Sequence, residues 1–100
     1  MRALLEVTLD TEASNKLIAD GTVGPTLEGV MSQLKPEAAY FFARNGRRTM
    51  LFALDVRDEA SVVTACEPFW LRFNADVQLH VCMNAEELQE GLSRLARQSA

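Results

Sequence analysis

The chain has one histidine, and it stands in a stretch that faces two ways. In ADVQLHVCM, residues 75–83, Asp76, Gln78, His80 and Cys82 alternate with Ala75, Val77, Leu79, Val81 and Met83. An earlier stretch, RALLEVTL over residues 2–9, alternates Leu4, Glu6 and Thr8 against Ala3, Leu5, Val7 and Leu9. Period-two alternation marks strands with one buried face. If the two are antiparallel neighbours, Glu6 and Thr8 come near Gln78 and His80 on the face turned away from the core. A glutamate beside an imidazole holds the ring in one tautomer and leaves its other nitrogen as a general base near neutral pH. His80 as base and Glu6 as its orienter are therefore the candidate catalytic pair, suited to moving a proton next to a carbonyl.

Tyr40, Thr49 and Gln78 are candidates for holding a small molecule on the same face, and Trp70 for lining a pocket between helix and sheet. Each has a plainer reading. A lone histidine on a strand at an interface is commonly a hydrogen-bonded packing residue, and a tyrosine with one apolar and one polar end suits an interface without chemistry. Aromatics at helical spacing usually belong to the core. Cys66 would need a lowered pKa to act as a nucleophile, and its apolar helical neighbours raise it instead. Cys66 and Cys82 have no CxxC or Cys/His spacing, so they read as buried reduced thiols, with no metal and no cofactor implied.

Composition narrows the field further. A net charge of −4 argues against a nucleic-acid partner, which calls for a basic surface. The cluster Arg44, Arg47 and Arg48 sits at a turn and reads as solvating charge there. The N-terminus is too short and too charged for a signal peptide, and no run approaches the roughly 18 apolar residues of a membrane span. A soluble, cytoplasmic protein is expected. One hundred residues make a single domain, residues 1–100, with a thin core.

The elements that would position these residues follow from pattern and punctuation. After the first strand, Asp10 or Thr11 offers a helix cap, and Asp20-Gly21 stops that helix. A second helical piece is expected from about Pro25, with Leu27, Val30, Met31 and Leu34 on one face; Lys35-Pro36 ends it. Residues 37–56, EAAYFFARNGRRTMLFALDV, read as a β-hairpin turning at Asn45-Gly46, which pairs Arg44 with Arg47. Counting outward puts Phe41 opposite Met50 and Tyr40 opposite Leu51. One face then carries Ala39, Phe41, Met50, Phe52 and Leu54, assigned to the helices. The other carries Ala38, Tyr40, Phe42, Thr49, Leu51 and Ala53 and needs a second cover.

Asp58 should cap a helix running to about Phe73, with Val62, Cys66, Phe69 and Phe73 on one side and Val63 and Trp70 beside them. Pro68 inside it should kink the helix and free the Thr64 carbonyl. After the histidine strand, Asn84 and Glu87 resemble a capping box opening a terminal amphipathic helix with Leu88, Leu92 and Leu95. The order strand, helix, strand, strand, helix, strand, helix suits an α+β, ferredoxin-like βαββαβ sandwich with an extra C-terminal helix, its antiparallel sheet ordered 4-1-3-2.

The segments ASNKLIADGTV, LKPEAAYFFARNGRRT and EPFWLRFNADVQLHVCMNAEEL, with the terminal helix, resemble a family of small bacterial proteins of about this length. That family is similar to the dimeric α+β barrel superfamily, which includes muconolactone isomerase and small antibiotic-biosynthesis monooxygenases. The resemblance implies a homodimer whose open sheet faces pack together, and it brings no catalytic motif. The haem-degrading relatives carry several histidines where this chain has one. Three functions are thus expected to compete: a homodimer binding a small molecule at the sheet face, a cofactor-independent isomerase acting on a small carbonyl or lactone, and a structural or interaction module without catalysis.

Overall fold

The computed structural model of the chain describes residues 1–99. Asn45 and Gly46 both take positive φ, 54° and 75°, the mirror-image turn that lets two twisted strands pair tightly. The turn joins β2 (Ala38–Arg44) to β3 (Arg47–Asp55), pairing Arg44 with Arg47, Phe41 with Met50, Tyr40 with Leu51 and Ala39 with Phe52. β1 (Arg2–Thr8) lies antiparallel to β3, and β4 (Asp76–Val81) antiparallel to β1 on its other side. The result is an α+β fold with an open, antiparallel, four-stranded sheet ordered β2-β3-β1-β4.

The first helical region is two pieces, α1 (Thr11–Ala19) and α2 (Val23–Leu34). The Asp10 carboxylate caps α1 by accepting from the Ala13 N–H at 2.9 Å, and Gly21, at φ 77°, turns the chain out of it. The second piece starts two residues earlier than Pro25 predicts. Thr22 already has helical dihedrals, and Pro25 falls within the first turn, where a missing amide costs no helical hydrogen bond. Lys35 leaves α2 in the left-handed conformation, not the extended one usual before proline, while its N–H still reaches the Met31 carbonyl. α3 (Glu59–Phe73), capped by Asp58, is helical straight through Pro68. The carbonyl that Pro68 cannot serve belongs to exposed Thr64, where water can take the place of the amide.

One sheet face meets the helices. Leu5, Val7, Phe52 and Leu54 are buried there against Val30, Cys66, Phe69 and Phe73. The Phe52 ring stacks on Phe69 at 5.7 Å, and Phe69 leans on Phe73 at 5.9 Å. Two expectations need correcting at the margins of this layer. Phe41 shares that face and touches the Phe52 ring edge, yet it is exposed, because β2 is an edge strand and the helical layer stops short of it. Val63 and Trp70 are also exposed, on the side of α3 that does not carry Cys66, Phe69 and Phe73.

α4 (Ala85–Ser99) opens with the reciprocal capping box: the Asn84 side chain accepts from the Glu87 N–H, and the Glu87 carboxylate from the Asn84 N–H, both at 2.8 Å. It buries none of its described residues. Its projection gives the molecule extents of 61 × 28 × 18 Å and a radius of gyration of 16.5 Å, against about 13 Å for a compact chain of this length.

Candidate functional site

The face opposite the helices is laid out by strand register. One cross-strand row runs Phe42, Thr49, Thr8, Asp76; the next Tyr40, Leu51, Glu6, Gln78; the third Ala38, Ala53, Leu4, His80. The half over β2 and β3 is apolar and the half toward β4 is polar. Among the described residues no helix packs on this face, and Tyr40 keeps 64% of its surface exposed.

The arginines of the hairpin tip organise its rim. Arg44 folds back along the face, its guanidinium 5.3 Å from the Phe42 ring centroid, and Nη2 donates to Glu6 Oε1 at 3.0 Å. Arg47 reaches past the end of β1, donating from Nε to the Leu9 carbonyl at 3.2 Å and from Nη1 to Asp76 at 3.0 Å. Arg48, on the helix side, donates to Ser14 Oγ and Asn15 Oδ1. The three stay at the surface, as their place at the turn implies, and each is also tied to the body of the subunit. Turn position alone does not reveal this, but the register does place Arg44 on the face of Glu6, and a long side chain can span the one row between.

These ties decide what the candidate residues present. Thr49 is 1% exposed, and its hydroxyl donates to the Arg47 carbonyl at 3.1 Å. Glu6 stands opposite Gln78, with its carboxylate engaged by Arg44. His80 stands opposite Leu4, diagonal to Glu6 and exposed. Diagonal neighbours lie about 7–8 Å apart, and among the described residues no hydrogen bond joins the two. Tyr40 and Gln78 share a row, whereas Trp70 belongs to the helical layer on the other side of the sheet.

Cys66 is buried, and burial, with the Glu67 charge adding to it, pushes its thiol up, away from a reactive thiolate. Cys82 is only half-buried, because its position at the far end of the open face has no cover in the subunit. Among the described residues no three His, Cys, Asp or Glu side chains gather as a metal set, and no helix is long and apolar enough to cross a membrane. A shallow cavity of about 470 Å³ lies elsewhere, between the end of β3 and α3, lined by Leu54, Val56, Arg57, Ser61 and Thr64. None of the sequence candidates lines it.

At the sheet end near Met1, Arg2 bridges Glu37, which precedes β2, and Glu87 in the first turn of α4. Arg2 and the Asn84 N–H hold the Glu87 carboxyl below the usual glutamate range, and the Glu87 and Glu37 carboxylates in turn raise the Arg2 guanidinium. No protein-family model matches the chain, and no curated protein matches it in sequence.

Proposed function

We propose that the chain works as a homodimer whose two open sheet faces pack together, with a small molecule bound where the apolar and polar halves of the faces meet. The observation that carries this reading is the uncovered apolar area of Leu4, Tyr40, Phe42 and Leu51 beside the clamped Glu6–Arg44 pair. Soluble proteins rarely leave such a patch without a partner. The order β2-β3-β1-β4 is 4-1-3-2 read from the β4 edge, which supports a ferredoxin-like subunit of the dimeric α+β barrel type with α4 as an addition. A contact of ordinary size would cover about 800 Å² on each partner. Two free cysteines fit a reducing compartment such as the cytoplasm.

A second reading is proton transfer on a small carbonyl or lactone by His80. It rests on the exposure of the imidazole at the border of the polar half. Glu6 orients the ring only if Arg44 lets go of it, so this reading asks for a rearrangement on ligand binding.

Sedimentation at low micromolar concentration tests the dimer. The sheet contact alone gives a particle of twice the 11.1 kDa chain, and a single-chain mass would remove the proposal. Thermal shifts against small aromatic acids and lactones test the pocket. A ligand held between the subunits raises the melting temperature of wild type and not of the dissociated chain.

A further inference from the structure

We infer that α4 is a second association surface, separate from the sheet face, and that it pairs antiparallel with α4 of another copy. Leu88, Leu92 and Leu95 form one stripe along the helix and are 46%, 48% and 57% exposed. A fifteen-residue helix is too short to be well formed alone in water, and none of its described residues is buried within its own subunit. Its stripe needs a cover from outside.

The charges along α4 identify the cover. Glu86, Glu87 and Glu90 occupy the first half and Arg94 and Arg97 the second. Parallel pairing would set like charge beside like, whereas antiparallel pairing sets the acidic half of each helix beside the basic half of the other. On a helical projection Glu87, Gly91 and Arg94 share one flank of the leucine stripe. A two-fold crossing centred near Gly91 brings Glu87 of one copy opposite Arg94 of the other. The Glu87 Oε1 atom already takes the Arg2 and Asn84 donors, which leaves Oε2 for that arginine, whose Nε donates to Glu90 of its own helix at 3.1 Å and whose terminal nitrogens are left for the pair.

The test uses full-length protein with Cys82→Ser, so that the remaining native thiol, Cys66, is buried. Gly91→Cys and Gln98→Cys are each treated with a short bismaleimide. In the antiparallel pair the two copies of position 91 are adjacent, while the two copies of position 98 are about 20 Å apart along the axis. Expected is cross-linked dimer from Gly91→Cys, little from Gln98→Cys, and loss of the Gly91→Cys product when Leu92→Glu is added. Equal yields at the two positions would mean parallel pairing, and no product at either, with helix content intact by circular dichroism, would mean another occupant; both overturn the inference. The Gly91→Cys product should also form in a chain carrying Tyr40→Glu. Failure of the sheet contact and failure of the helix contact are thereby told apart.

Discussion

Replacing Tyr40 with glutamate separates the stability of the subunit from the strength of its association. In the single subunit the tyrosine is 64% exposed on edge strand β2, and exposed substitutions of this kind change folding stability by about 0.5 kcal/mol or less. The new carboxylate lies two strands from Glu6, roughly 10 Å at ordinary strand spacing, near one Debye length at physiological salt. Repulsion between them is small. In the proposed sheet-face dimer the same position would be covered by the partner, where losing a buried aromatic anchor costs about 2 kcal/mol or more. Both copies of the position lie in a symmetric contact, so at about 1.4 kcal/mol for each factor of ten the dimer Kd should rise by about 1,000-fold. Sedimentation equilibrium over a concentration series gives the Kd, and urea unfolding at a concentration where both proteins are monomeric gives the subunit stability. Trp70→Glu, an exposed aromatic in the helical layer, should leave the Kd unchanged. The reasoning is refuted if Tyr40→Glu shifts the Kd less than threefold, or if Trp70→Glu shifts it as much.

Phe52→Ala should destabilise the subunit by about 3–5 kcal/mol in urea unfolding, because the ring is fully buried between Phe41 and Phe69 and its removal leaves a cavity. Arg44→Ala should cost less than about 1 kcal/mol in the same assay, as a partly exposed ion pair, while freeing Glu6. The Ser61 hydroxyl and N–H hold the Asp58 carboxyl below the usual aspartate range. A folded-state pKa below the unfolded one stabilises fully above the unfolded value of about 3.9 and is lost as pH falls through the folded value. Asp58→Ala should therefore lower the melting temperature at neutral pH and flatten its fall below about pH 4, as followed by circular dichroism; an unchanged acid limb would contradict the assignment.

How much of this was legible in sequence depends on how local each determinant is. Asn45-Gly46 admits one tight turn, and that turn alone sets the β2–β3 register through Ala39 and Phe52. The Asn84–Glu87 box and the Asp58 cap are likewise contacts between residues three apart. Alternation also put Glu6, Gln78 and His80 on one face correctly, because a strand has only two faces. It could not say that Glu6 would meet Arg44 before His80, since the reach of an arginine depends on what its path crosses. Periodicity assigned Phe41, Val63 and Trp70 to apolar sides of their elements but carried no information on how far the helical layer extends. The leucine stripe of α4 was plain in the sequence, and its lack of any partner in the same subunit was not.

In the proposed sheet-face dimer, Leu4 and Leu51 of one subunit meet Tyr40 and Phe42 of the other. Isotope-filtered NMR on a mixture of ¹³C-labelled and unlabelled chains measures this directly. The account predicts intersubunit cross-peaks from the Leu4 and Leu51 methyls to the Tyr40 or Phe42 rings. Intersubunit peaks confined to α4, or none from the sheet face at concentrations where the chain sediments as a dimer, would contradict it.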